Sequence, residues 1–504
     1  MTTPHPAPGP HAPDALAAQP GVADPAPDAP ADRWRRVHPV TPAVRGWKVI
    51  VVLLVVLGQQ VSQNVVAARE AIDAVGWLPV LGLVVVVALI GFGYSAIAWR
   101  MTRYAIDDEA VYLHTGVLFR QQRSARLDRI QAIDVVQPVL ARIFGLAELK
   151  IEVAGGSDSA VALAFLKEAD AQAVRNEILA RAAGVRFGTP EQPEAPVAPE
   201  RPMVAVPPGR LVSSLVRSSA TFWAVVAVAV VTVTAITTRS VGSTFAMLPV
   251  LAGTIGYLWQ RFAGEFGFRS ALSPDGIRLR RGLLETRTQT VPPGRVQAVR
   301  LTQPLLWRGP DWWRVQVNVA GYGQGDGTSS TETVLLPVGD RDEALATLWL
   351  VVPDLGVADA RALLDVALAG QGPDGGFTTS PRRARWLDPL SWRREGFVVT
   401  PRALLARSGR FVRRLVVVPH ERTQSLGLVQ GPLQRRLGLA SFTLHSTPGP
   451  VAPRVDHLDA AAASELMTEQ AARARAARAA AGPERWMSEL AAAQDDPAGE
   501  ARPS

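Results

Sequence analysis

Three stretches of the chain carry one pattern of residues in one register, so the same fold must occur three times. In the first copy the landmarks are Gly116, Arg129, Gln131, Gln137, Pro138 and Arg142. The second copy repeats them at identical spacing as Gly282, Arg295, Gln297, Gln303, Pro304 and Arg308. The third reads Gly409, Arg422, Gln424, Gln430 and Arg435, with Gly431 where the proline stood. No gap is needed to align them. Architecture is therefore constrained before any chemistry is considered.

The first two copies each follow a pair of long apolar runs, Gly46–Val66 with Val75–Ala98 and Ser219–Thr237 with Ser243–Trp259. Each run is near the ~20 residues that cross the hydrocarbon core of a bilayer. The very short loops within each pair favour membrane hairpins over buried core helices. The expectation is four transmembrane helices in two hairpins, at 46–98 and 219–259. Basic residues crowd the outer flanks: Arg33, Arg35, Arg36, Arg45 and Lys48 before the first pair, Arg100 and Arg103 after it. The second pair is flanked likewise by Arg201, Arg210, Arg217, Arg261 and Arg269, with Arg239 alone between its runs. That asymmetry predicts a multi-pass protein of the inner (plasma) membrane, with both termini and the soluble domains cytoplasmic. Gln59, Gln60, Gln63 and Asn64 form a polar patch toward the outer end of the first run. With no ionisable residue at that depth, helix packing explains the amides better than a transport path.

A mean hydropathy of +0.11 with 19% charged residues is too apolar for a wholly soluble chain of 504 residues. The net charge of +8 calls for an anionic partner. Because the basic residues are spread over three tethered units, that partner is the lipid bilayer rather than nucleic acid. Zero cysteines exclude disulfides, thiolate metal sites and cysteine nucleophiles. No HExxH, GxSxG or phosphate-binding glycine loop is present. His420, His445 and His457 lack ligand spacing. Neither a catalytic site, a cofactor nor a metal is expected. The Pro- and Ala-rich start (1–40) and the end (482–504) read as disordered tails, and 186–210 and 358–393 as linkers.

Each unit (101–185, 266–357 and 394–481) reads as several short strands followed by one helix, the outline of a small barrel or sandwich with a helical plug. The stretch HERTQSLGLVQGPLQRRLGLASFTLHST and its counterpart from Tyr104 resemble the bacterial pleckstrin-homology-like (bPH2) domain of YdbS/YdbT-type membrane proteins. The resemblance runs from about Arg45 to Ala480, in the order hairpin, domain, hairpin, domain, domain. It implies three PH-like β-barrels, each closed by a C-terminal helix, and carries no catalytic residues. The middle copy departs: Pro310, Asp311, Trp312 and Trp313 replace the glycine segments Phe144–Leu146 and Leu437–Leu439.

Two groups of residues are candidates for binding. Arg129, Gln131, Arg295, Gln297, Arg422 and Gln424 could grip an anionic headgroup or a partner's backbone. The reading we favour is that they fix a turn, the arginine bonding carbonyls and the glutamine closing a strand. The second group is basic strand faces, read equally as surfaces docked on the membrane or as ordinary solvated faces: Arg278 with Arg280, and Arg410 with Arg413. Near an anionic leaflet each such residue is worth about 1 kcal/mol. The expected function is a non-enzymatic membrane protein presenting PH-like modules to the membrane surface or to a protein, in envelope stress or toxin resistance. The protein partner would be a second PH-like membrane protein or another copy. The alternative is a transporter or exporter component with a path through the hairpins.

Overall fold

In the computed structural model, each repeat opens with a strand that lies upstream of its helices. The structure describes residues 34–39, 59, 77–107, 109–116, 121–127, 130–153, 161–182, 200–238, 241–273, 276–320 and 334–480. The first repeat comprises β1 (Arg35–Arg36), β2 (Arg103–Ile106), β3 (Ala110–Thr115), β4 (Gln121–Arg126), β5 (Ile130–Pro138), β6 (Leu146–Val153) and β7 (Val161–Lys167). The second has β8 (Arg201–Ala205), β9 (Arg269–Ser273), β10 (Gly276–Arg281), β11 (Glu285–Val291), β12 (Val296–Gln303), β13 (Trp313–Val319) and β14 (Val334–Gly339). The third has β15 (Thr378–Thr379), β16 (Gly396–Val399), β17 (Ala403–Ser408), β18 (Arg413–Pro419), β19 (Ser425–Val429), β20 (Leu439–His445) and β21 (Arg454–Asp459).

Because β1 pairs with β2 and β8 with β9, each helical excursion leaves and rejoins the same sheet between neighbouring strands. The helices Ser219–Thr238 and Val241–Glu265 fill the second excursion after a short amphipathic helix, Pro208–Val216. In the third repeat only a short 3-10 turn, Arg382–Trp386, and its flanking loops separate β15 from β16.

The repeat glycines have a conformational reason. Gly116, Gly282 and Gly409 have φ of 103°, 114° and 76°, values that side chains disfavour. They turn β3 into β4, β10 into β11 and β17 into β18. The departure in the middle copy also resolves. Gly145 and Gly438 sit at φ 63°, and Asp311 takes their place at φ 52°. Aspartate tolerates this region better than most residues. Its carboxylate accepts from Gln303 Nε2 at 2.7 Å and Trp313 Nε1 at 3.0 Å, and meets Arg341 at 2.9 Å.

Each repeat is a sandwich of two half-sheets closed by its own helix. Ile106, Val111 and Leu113 face Val135, Leu149, Ile151 and Leu163 in the first core, with Val174 and Ile178 of the helix Glu168–Ala182. Ile277, Leu279 and Val291 face Val299, Leu301 and Val315 in the second, closed by Leu345 and Leu348 of the helix Arg341–Val351. Leu404 and Val416 face Phe442, Leu444 and Val455 in the third, closed by Leu466 of the helix Ala460–Ala480. Strand faces alternate, so Leu405, Leu415 and Val417 turn the other way and belong to the second core. Burial on both faces explains the unbroken apolar run of β18.

The half-sheets do not close within a repeat. Strand β5 pairs with β11, and β12 with β18, giving two seven-stranded sheets that cross repeat boundaries. The two junctions share one register: Gln137 lies opposite Thr286, and Gln303 opposite Arg413. The expected closed barrels are thus corrected to open sandwiches sharing sheets. An edge strand left bare by one repeat is satisfied by the next rather than by curling back.

The four-span expectation is corrected too. Among the described residues one helix is long and apolar enough to cross a membrane, Ser219–Thr237. The run Gly46–Val66 lies outside the described residues apart from Gln59, and Gln60, Gln63 and Asn64 fall outside them. The helices Trp77–Met101 and Val241–Glu265 end on protein: Trp99 Nε1 donates to Val37 O at 2.9 Å, and Glu265 is fully buried against Arg314. Hydropathy counts apolar residues but does not show where a run docks. The segment 358–393, read as linker, is folded. Its helix Ala360–Ala369 is capped by Asp359 and buries Leu364, Ala367 and Leu368 in the second core. The segment 186–210 likewise contributes β8 and the start of the helix Pro208–Val216.

Candidate membrane-interface site

The structure disperses the conserved-spacing arginines and glutamines instead of gathering them. Arg129 and the side chain of Gln131 lie outside the described residues. Arg295 ends a 3-10 turn and donates to Ile130 O of the first repeat at 3.1 Å, while Gln297 Nε2 donates to Arg295 O at 3.3 Å. Arg422 ends the matching turn His420–Arg422; Gln424 is exposed, its backbone N–H on His445 O at 3.1 Å. Arg278 is ion-paired to Glu200, and Arg280 is exposed. His420 is buried, between Thr400 O at 2.8 Å and Gln470 Nε2 at 2.9 Å, and burial pushes its pKa down. Among the described residues no group of side chains is placed to hold a metal.

Another landmark acts between repeats. Arg142 Nη1 donates to Thr286 Oγ1 of the second repeat at 3.1 Å, and Arg308 donates to Arg410 O of the third. Arg410 and Arg413 meet Arg308, Arg393 and Arg394 around a cavity of about 200 Å³. Several of their donors are used internally. Arg394 caps the helix Ala360–Ala369 through the carbonyls of Ala367, Leu368 and Gly370, and Arg413 reaches Gln303 Oε1 at 3.2 Å. Burial, then Arg413, Arg407 and Arg308, lower the Arg394 pKa to about 9.

Beside this cluster Glu395 accepts from Gly409 N at 3.1 Å, and burial pushes its carboxyl up to about 7. Between its ordinary 4.5 and about 7 the folded chain holds a proton that the unfolded chain has released. The associated stability is therefore whole in acid, declines through that window and is lost once pH passes about 7. Glu395→Gln, which keeps the acceptor, is expected to gain roughly 2–3 kcal/mol over the parent at high pH and nothing in acid. Thermal unfolding at both pH values checks this; parallel pH profiles for the two proteins would refute it.

A larger and chemically distinctive site lies where the helices meet the repeats. Ser219 opens the first long helix of the second excursion, and Tyr257, Gln260, Arg261 and Glu265 close the second. Together with Arg300 and Thr302 of β12, Arg314 and Gln316 of β13, and Arg414 of β18, they line a cavity of about 670 Å³. Four arginines share it with one acid. Glu265 is buried between Arg314 Nη2 at 2.6 Å and Arg261 Nε at 3.5 Å. Arg300 is held by Gln316 Oε1 at 2.7 Å, and burial, then Arg414 and Arg314, push its pKa down to about 10. Its Nε and Thr302 Oγ1 are buried donors without a partner among the described residues. Exposed Phe222, Trp223, Tyr257 and Trp259 sit on the same end of the two helices. Aromatic rings of this kind gather at the membrane–water boundary.

Sequence reading found Arg261 as a flanking charge, but not Glu265, Arg300 or Arg314. These come from different elements, and no local spacing joins them.

The comparisons agree with this layout. A 90-residue stretch is 30% identical to the UPF0699 transmembrane protein YdbT of Bacillus subtilis (strain 168), covering 18% of either chain. The matched stretch thus spans less than a fifth of that relative's length. The Bacterial PH domain model matches residues 52–182, 221–365 and 355–474, and its first two matches take in the preceding helices as the fold does. With three copies of that model over most of its length, the chain belongs to the bacterial PH domain family.

Proposed function

We propose that this chain is a membrane-tethered binding protein, not an enzyme, whose second and third repeats hold an anionic lipid headgroup. The observation that carries the reading is the 670 Å³ cavity with four arginines and one buried acid at the foot of an apolar helix. A phosphate there would receive the donors that Arg300 and Thr302 leave unused. Basic pockets between helices at the cytoplasmic interface suit phospholipid headgroups. The flanking Arg201, Arg210, Arg217 and Arg269 support a cytoplasmic position for the repeats. The transmembrane relative is in keeping with a membrane location.

The test uses the full chain in detergent, equilibrated with phosphatidylglycerol or phosphatidylcholine, and measures the lipid retained. The parent is expected to retain phosphatidylglycerol preferentially. Arg300→Gln with Arg414→Gln is expected to lose about a hundredfold of that affinity, since each of the two charge-assisted contacts is worth about 1.5 kcal/mol. Equal retention of the two lipids by the parent, or by parent and variant, sinks the reading.

A further inference from the structure

Each internal junction joins the first strand of one repeat's C-terminal half-sheet to the last strand of the next repeat's N-terminal half-sheet. The first junction uses β5 and β11, the second β12 and β18. By the same rule the array has two open ends among the described residues. Strand β19 of the third repeat, the counterpart of β5 and β12, is the edge of its three-stranded sheet. Strand β4 of the first repeat, the counterpart of β11 and β18, is the edge of its four-stranded sheet. We infer that β19 of one chain pairs with β4 of a second copy, so that chains join head to tail as the repeats do.

Three features support this occupant. The first is continuity with an interface the chain makes twice in one register. Carrying that register over sets Val429 opposite Gln121, Leu428 opposite Gln122 and Leu426 opposite Ser124 of the second copy. The second is that β19 lacks the usual protection of a bare edge. Its sequence, Ser425–Val429, contains no charge and no proline, and Leu428 and Val429 are exposed. The third is the clamp. Arg142 and Arg308 reach across the two internal junctions, and their counterpart Arg435 is exposed on the short helix Pro432–Arg436, away from any other repeat among the described residues. An interface of two different faces propagates as a ring or a filament rather than a two-fold dimer.

The chain has no cysteine, so introduced ones report without background. Full-length Leu428→Cys and Gln122→Cys proteins are mixed in reconstituted membranes and oxidised. A disulfide-linked heterodimer of the two variants is expected, and a ladder of higher species from the double variant. Leu428→Cys mixed with Arg126→Cys, four residues further along β4 and about 13 Å away, should give none. Adding Arg435→Glu should slow the cross-link several-fold while the thermal stability of the isolated chain is unchanged. No heterodimer, an equal yield with the Arg126→Cys control, or capture only of an unrelated protein would overturn the inference. So would an intramolecular disulfide in the double variant with none between the single ones.

Discussion

Replacing Glu265 by alanine is expected to cost about 3–5 kcal/mol, because it leaves buried arginines without their counter-ion. Among the described residues Glu265 is the only acid lining the cavity, and its side chain is fully buried. Arg314 touches it at 2.6 Å and Arg261 at 3.5 Å, while Arg300 and Arg414 add like charge nearby. The exposed ion pair of Glu469 with Arg473 is the control, worth only about 0.3–0.5 kcal/mol as an i,i+4 helix pair. Denaturant unfolding of Glu265→Ala beside Glu469→Ala measures both. Glu265→Leu combined with Arg314→Met should recover much of the loss, since an apolar pair removes the stranded charge with its partner. Similar losses at Glu265 and Glu469 would show that the cavity's charge is not balanced by this acid.

The second large effect belongs to Gly282. An alanine Cβ there would stand 1.9 Å from the carbonyl oxygen of Glu285, at a φ of 114°. Relief requires moving backbone in the β10–β11 turn, and β11 is the strand that binds the first repeat. That strand also carries Arg287, bonded to the buried Asp134 of β5 at 2.6 Å. Gly282→Ala is expected to cost about 4 kcal/mol or more. Gly267→Ala, at φ 64° with nothing within 4 Å of the added carbon, should cost only about 1 kcal/mol. Unfolding midpoints of the two variants separate steric clash from backbone preference. Equal losses would mean the turn relaxes freely.

The glycines were legible because a tight turn leaves a local trace, and three copies made the trace visible. Arg295 reaches a carbonyl of the first repeat, a long-range partner no local pattern names, while Gln297 folds back on its own turn. What the sequence hid is long-range. A two-residue strand such as Arg35–Arg36, pairing with Tyr104 and Arg103 across an apolar run, has no periodicity to detect. Nor does alternation tell which neighbour a strand will pair with, so β5 and β11 read as parts of separate barrels. Asp311 was visible only as a missing glycine; its role follows from φ and from the three groups that hold its carboxylate. The cavity was the least legible of all, because its arginines come from β12, β13, β18 and a helix.

Sharing sheets across repeats separates the evolutionary unit from the physical one. A fragment trimmed to the second repeat would part β11 from β5 and β12 from β18, and would strip Leu405, Leu415 and Val417 from its interior. Both cut borders would then present raw backbone donors and acceptors, an invitation to clump. Shortened versions of this protein should therefore be designed around whole junctions, since the motif that recurs in the text is not the piece that can stand by itself.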